Sequence, residues 1–152
     1  MVGTHEQQFD RMVRAVDELN TDEKRIIQYG YSEYVPVNAE GYKFLDFDDV
    51  KNYMLEASAV ITHGGTGSVM LALSLGKIPI VAPRYKQHGE HVDNHQIQLI
   101  QALVDDGLII PFYDGDSMQE RIQEAESMTS GARKIEPDER LVSALRDYIL
   151  QN

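Results

Sequence analysis

Apolar residues along this chain follow two spacings, one typical of buried strands and one typical of amphipathic helices. Short apolar runs bounded by glycine, proline or polar residues predict strands at residues 25–29, 42–47, 59–62, 78–82 and 108–112. Apolar positions three or four residues apart predict helices at residues 9–19, 50–57, 68–75, 94–105, 117–126 and 138–150. Residues 129–137 are predicted to form a loop, and Asp48 or Asp49 is expected to cap the second helix.

Strands that alternate with helices, and that are apolar throughout, indicate an α/β fold with a Rossmann-like, doubly wound parallel sheet. We expect residues 1–152 to form a single domain. In such a sheet, ligands bind beyond the carboxyl ends of the strands. Only Met1 and Val2 precede the first glycine turn at Gly3, so the first strand is expected to be short or truncated.

The turn from His63 to Ser68 contains the clearest candidate chemistry, because a predicted buried strand leads through three glycines into a predicted helix. Glycines allow a ligand to approach the backbone closely, and a helix start offers free N–H groups and a positive dipole end. His63 and Ser68 add side-chain donors. The turn is therefore a candidate seat for a phosphate or diphosphate. The plainer alternative is a tight strand-to-helix connection without a ligand.

Composition narrows the classes of function. The 152 residues are 42% apolar, enough to bury a core, and include no cysteine, which excludes disulfides and thiol chemistry. No apolar run is long enough to cross a bilayer, and no signal peptide is visible. The formal net charge of -11 argues against binding to nucleic acid or directly to anionic lipid.

Four motifs occur in an order that resembles a known family: residues 3–9 with Arg11, residues 62–68, Gly76-Lys77, and residues 89–96. Together they resemble the C-terminal domain of glycosyltransferase family 28, from Gly3 to Glu126. The chain is especially similar to the stand-alone bacterial form, the catalytic subunit of two-component exopolysaccharide glycosyltransferases. The eukaryotic counterpart of that form is the cytosolic subunit of the dolichol-linked N-acetylglucosaminyltransferase.

The resemblance implies the GT-B architecture, in which two Rossmann-like domains face each other and the C-terminal one binds a UDP-sugar. This chain would be that donor-binding half. A membrane-bound subunit would supply the acceptor half and hold the cytoplasmic chain at the inner face of the membrane. The implied reaction is an inverting, metal-independent transfer of a hexose from a UDP-sugar to a polyprenyl-diphosphate-linked sugar in exopolysaccharide or capsule synthesis, without a cofactor.

The resemblance also assigns roles to residues. The donor-binding residues would be Gly3, Thr4, His63, Gly64, Gly65, Thr66, Gly67, Ser68, Arg84, His95 and Gln96. The turn at residues 63–68 would hold the diphosphate, with Gly3 and Thr4 as a second loop. His95 and Gln96 would contact the sugar or ribose, and Arg84 would neutralise phosphate charge.

Several of these residues have a structural alternative. His63 could be a satisfied core histidine at a strand end. Thr4 could cap a helix in a capping box, and Asp93 or Asn94 could do the same for a later helix. Arg84 could be a solvated loop cation.

An inverting transfer needs a base to deprotonate the acceptor hydroxyl. The candidates in this chain are His5 and Glu6, unless the acceptor subunit supplies the base. No metal-ligand spacing is present. Many relatives carry an acidic residue for the ribose hydroxyls where this chain has Leu71. The loop from Arg84 to His91 is a candidate lid or acceptor contact.

Three alternatives stay open. The chain could be a non-catalytic nucleotide-sugar-binding module, or could resemble UDP-sugar 2-epimerases, although those need both halves in one longer chain. An isolated half could also form a homo-oligomer by covering an exposed face with Tyr31, Tyr34 and Tyr113.

Overall fold

A computed structural model of the chain describes residues 1–92 and 95–130. Within these ranges the helices are Asp10–Asp17 (α1), Phe47–Glu56 (α2), Thr66–Ser74 (α3), His95–Asp105 (α4) and Met118–Ser130 (α5). The strands are Ile26–Gln28 (β1), Glu40–Tyr42 (β2), Ile61–His63 (β3), Ile80–Ala82 (β4) and Ile110–Pro111 (β5). The predicted helix at residues 138–150, and residues 131–137 of the predicted loop, lie outside the described residues.

All the described strands run parallel. β1 pairs with β2, and β3, β4 and β5 form a second group in that order. The segment Met1–Val2 joins the two groups: the Met1 nitrogen donates to the Ile61 carbonyl (2.7 Å), His63 N–H donates to the Met1 carbonyl (3.2 Å), and Val2 N–H donates to the Gln28 carbonyl (3.2 Å). Two residues therefore fill the place of a strand between β1 and β3, and the prediction of a short or truncated first strand stays a prediction.

Helices cover both faces of the sheet, which confirms the Rossmann-like, doubly wound α/β prediction. On β4, Ile80 and Ala82 join a core with Met12 of α1 and Ala125 of α5. Val81, which points to the other face because strand side chains alternate, joins a core with residues of α3 and α4, including Val69, Leu73, Leu99 and Leu103. A parallel strand buried on both faces has to be apolar throughout, and all three residues of β4 are fully buried.

Three predicted elements have wrong boundaries. The strand predicted at residues 42–47 is found at Glu40–Tyr42, and the helix predicted at residues 50–57 begins at Phe47. The predicted cap, Asp48 or Asp49, is also wrong. The N-cap is Asp46, whose carboxylate accepts a hydrogen bond from Asp49 N–H (2.8 Å), so the helix begins at Phe47. The predicted loop also starts too early, since Thr129 and Ser130 belong to α5.

Candidate functional site

Three turns meet at the carboxyl edge of the sheet, because the Met1–Val2 segment, β3 and β4 are parallel neighbours. The turn at Gly3 follows the first segment, the turn at Gly64 follows β3, and Arg84 follows β4. Gly64 N–H donates to the Ala82 carbonyl (2.9 Å), which holds the second turn against the third. The topology thus brings most of the predicted donor-binding segments to one place, where ligands of such sheets bind.

The His63 ring lies between two of these turns. An added Cβ on Gly3 would lie 2.5 Å from His63 Cε1, and one on Gly65 would lie still closer to His63 Nε2. Gly3 also has a φ of +77°, which side chains other than glycine rarely adopt. Both glycines are therefore required for the backbone to pack directly on the imidazole. The histidine supports the two turns whether or not it also contacts a ligand.

His63 is neutral at physiological pH. Burial, and then the nearby charge of Arg84, lower the pKa of His63 to about 3. A neutral imidazole has one N–H donor and one acceptor nitrogen. His63 could therefore offer a hydrogen bond to a phosphate oxygen but would bring no positive charge to it. The predicted contact with the donor, and the alternative of a core histidine, both stay predictions.

The start of α3 has the features of an anion site. The Val69 N–H donates to the Gly65 carbonyl (3.1 Å) as the first helical hydrogen bond, so the N–H groups of Thr66, Gly67 and Ser68 precede the helical ladder. Gly65 provides no side-chain cap, and the first turn of α3 contains no acidic residue. Thr66 and Gly67 are exposed. Main-chain donors without helical acceptors, and the positive end of the helix dipole, thus lie at an exposed turn.

Gln96 lies beside this helix start. Its Oε1 accepts a hydrogen bond from the Arg84 backbone N–H (3.1 Å), and an added Cβ on Gly64 would lie 3.1 Å from the same oxygen. Gln96 and the glycine turn, predicted as parts of one site from residues far apart in sequence, are neighbours in space. His95 is the first residue of α4. Asp93 and Asn94, the alternative caps for this helix, lie outside the described residues.

The Arg84 side chain is fully buried, so the alternative of a solvated loop cation is wrong. Its guanidinium donates to the main-chain carbonyls of Val2, Gln7, Gln8 and Glu90. Burial lowers the pKa of Arg84 to about 10, which leaves it protonated at neutral pH. Contact with donor phosphate stays a prediction for this residue, although most of its donors already have acceptors.

The candidate bases lie on the loop that Arg84 contacts. His5 is half-buried, its ring centroid lies 4.7 Å from that of His91, and its Nδ1 accepts a hydrogen bond from Gln7 N–H (3.3 Å). Burial, followed by the charges of His91 and Arg84, lowers the pKa of His5, which favours the neutral form that a base needs. Glu6 is exposed. Their role as the base stays a prediction.

The other loop residues bring one correction, at Thr4. Thr4 does not cap α1, because that helix begins at Asp10 with Phe9 as its N-cap. The loop after β4 is anchored, since the buried Glu90 carboxylate pairs with Arg11 (3.2 Å) and accepts the Tyr85 N–H (2.9 Å). The role of this loop as a lid or acceptor contact stays a prediction. The partnership of Glu90 with Arg11 was missed because nothing in the sequence indicates a contact between residues so far apart along the chain.

Leu71, where many relatives carry an acidic residue, packs with the Val50, Met54 and Val60 cluster. Among residues 1–92 and 95–130, no group of three or more histidine, aspartate or glutamate side chains is placed to hold a metal ion. Over the same ranges, none of the helices combines the length and apolarity needed to cross a bilayer.

A Rossmann-like domain with an uncapped helix start at the carboxyl edge of its sheet is an arrangement typical of proteins that bind nucleotides or phosphates. Comparison with known families is more specific. Residues 1–134 match the glycosyltransferase family 28 C-terminal domain, and the chain belongs to that family.

A curated relative supports the assignment over part of the chain. The UDP-N-acetylglucosamine transferase subunit ALG13 of Yarrowia lipolytica is 39% identical over 71 residues. The match covers 47% of this chain and 34% of the relative, so the chain spans about a third of the length of that protein. No solved structure matches significantly.

Proposed function

We propose that this chain is the donor-binding half of a two-part glycosyltransferase that transfers a hexose from a UDP-sugar. The observation that carries the proposal is the uncapped start of α3, where the N–H groups of Thr66, Gly67 and Ser68 precede the helical ladder next to the His63 and Gly3 turns. Such a group of fixed dipoles would bind the donor diphosphate and stabilise the negative charge that develops on UDP as it leaves. The family supports the reaction class, and the relative's name supports a UDP-sugar donor.

The acceptor half would come from a second subunit, because the family domain is a C-terminal half and the relative is named a subunit. We propose a membrane-bound partner, with this chain held at the cytoplasmic face, and a polyprenyl-diphosphate-linked sugar as the acceptor in exopolysaccharide or capsule synthesis. The net charge of -11 favours recruitment by a protein over direct adsorption to anionic lipid.

Transfer would invert the anomeric centre without a metal ion. The acceptor hydroxyl attacks the anomeric carbon of the donor sugar, the bond from that carbon to the UDP oxygen breaks, and a base takes the hydroxyl proton. His5 or Glu6 would act as the base, unless the partner supplies it. The α3 amides would stabilise the departing diphosphate.

The test is transfer from labelled UDP-sugars into extractable lipid, with membranes of the source organism and with or without the complete chain. We expect label in lipid only when both are present, and UDP binding to the chain in calorimetry. Absence of UDP binding would contradict the proposal. Binding of UDP without transfer would favour a non-catalytic nucleotide-sugar-binding module, and release of UDP with an epimerised free sugar would favour an epimerase.

A further inference from the structure

Arg84 connects the two ends of the loop that carries the candidate bases. Its Nη2 donates to the Val2 carbonyl (2.7 Å), just before Gly3, while Nη1 donates to the carbonyls of Gln7 (2.9 Å) and Gln8 (3.1 Å). One guanidinium therefore spans the entry and the exit of the loop at residues 3–8. His5 and Glu6 lie between these two attachment points.

The guanidinium is itself fixed on its other sides. Nη1 also donates to the Glu90 carbonyl (3.0 Å), and Cζ lies 4.6 Å from the centroid of the Phe9 ring. The charge is thus satisfied by carbonyl dipoles and an aromatic face in a place that solvent does not reach. Both Nη atoms of this arginine are therefore occupied by main-chain contacts.

A second arginine holds the segment around Arg84. Arg11 of α1 pairs with both Glu90 carboxylate oxygens (3.2 Å each) and donates to the Pro83 carbonyl (2.9 Å). The Glu90 carboxylate in turn accepts the Tyr85 N–H (2.9 Å). The residues on either side of Arg84 are therefore fixed to α1, and Arg84 transmits that fixed position to the loop at residues 3–8.

We propose that Arg84 is a positioning residue, which sets the loop carrying His5 and Glu6 against the site without contacting donor or acceptor. The proposal rests on the proposed function, because it concerns the catalytic loop of that same site. It replaces the expected contact between Arg84 and donor phosphate.

Lysine in place of Arg84 separates the two roles. A lysine ammonium keeps the positive charge that a phosphate contact needs, but it lacks the planar fork that reaches carbonyls on both sides of the loop. Arg84→Lys should therefore preserve a phosphate contact and disrupt positioning. The variant should not disturb Gln96, because Gln96 accepts its hydrogen bond from the Arg84 backbone N–H, which lysine also has.

Arg25→Lys is the matched control. Arg25 likewise donates to four carbonyls, those of Val16, Asp17, Leu19 and Asn38, and so joins the end of α1 to a different loop. The two variants remove the same kind of interaction and conserve charge. Only one of them touches the loop with His5 and Glu6.

The experiment measures transfer kinetics of the complete chain with membranes, UDP binding by calorimetry, and hydrogen exchange of the amides at residues 4–8. For Arg84→Lys we expect kcat to fall roughly 10- to 100-fold, KM for the donor and Kd for UDP to change little, and exchange at residues 4–8 to rise. For Arg25→Lys we expect near-normal kcat and unchanged exchange in that loop.

The proposal is overturned if Arg84→Lys keeps its kcat and its loop protection, or if the Kd for UDP rises as much as kcat falls. The second outcome would indicate a direct contact with the donor, for which Nε, without a hydrogen-bond partner among the described residues, is the available atom. If the wild-type chain transfers no sugar, the proposed function fails, while exchange and UDP binding still decide whether Arg84 positions the loop.

Discussion

Two helices begin at the same edge of the sheet and differ in the capping and charge of their first turn. α2, after β2, starts with the Asp46 carboxylate bonded to Asp49 N–H (2.8 Å), and its first turn contains Asp48 and Asp49. α3, after β3, starts at Gly65 with no side-chain cap and no acidic residue in its first turn. The first helix has one of its free N–H groups capped and has carboxylates at its positive dipole end, and the second has neither.

If the proposed function holds, this difference explains how a chain with a net charge of -11 selects a place for an anion. In the proposed site the attraction would not come from His63 or Arg84, because the pKa of His63 is about 3 and the Arg84 guanidinium faces main-chain carbonyls. The remaining source is the α3 main chain, left without a cap at one helix start. The acids at α2 make the neighbouring helix start unattractive to the same ligand.

The largest expected effect comes from replacing Gly65, the N-cap residue of α3. Gly65→Ala would place a Cβ inside contact distance of the buried His63 ring. We expect unfolding free energy to fall by about 3 kcal/mol, the upper range for overpacking, and UDP affinity to fall by roughly 10- to 100-fold as the N–H groups move. Urea unfolding and calorimetry measure the two effects.

Gly67→Ala, two positions further, is the matched control. Its added Cβ would meet no atom within 4 Å, and alanine favours the helix over glycine by up to about 1 kcal/mol. We expect this variant to be at least as stable as the wild type and to bind UDP far better than Gly65→Ala does. Equal losses in both variants would show that packing on His63 does not define the site.

Sequence pattern was sufficient for the layers of the fold and for the turn at His63, because both depend on local periodicity and on glycines. It failed at residues 42–47, where aromatic residues suggested a strand but Phe44 and Phe47 are exposed and Asp46 starts a helix. It could not find the contacts of Arg84, whose acceptors at Val2, Gln7 and Gln8 are distant in sequence. Such contacts depend on the sheet order, which a single sequence does not specify.

The pH dependence of stability tests whether His63 is neutral in the folded protein. Its pKa is about 3 in the folded protein, against about 6.5 in the unfolded chain. Below pH 6.5 the unfolded chain binds the extra proton, so stability is fully present above that pH and is lost as the pH falls towards 3, by about 1.4 kcal/mol per pH unit. Between pH 7 and pH 5 the wild type should lose about 2 kcal/mol through His63.

His63→Gln isolates this effect, since it removes the titrating group and keeps a polar side chain. The lowered pKa of His5 gives a loss of the same sign in both proteins, so the difference between the two slopes belongs to His63. Urea unfolding at several pH values measures it. Parallel slopes would mean that His63 takes up a proton in the folded protein, and that a histidine cation supports the anion site after all.

The smallest effects come from exchanging the charges at the two helix starts. Thr66→Glu places a carboxylate in the exposed first turn of α3, which should stabilise the helix by about 0.3–1 kcal/mol and weaken pyrophosphate binding by a similar free energy, roughly two- to fivefold. Thr66→Gln, without the charge, should leave binding close to wild type.

Asp46→Ala removes the α2 cap, which should lower stability by about 1 kcal/mol without weakening pyrophosphate binding. The comparison is reversed if pyrophosphate affinity responds to Asp46→Ala and not to Thr66→Glu, because the anion would then lie at α2.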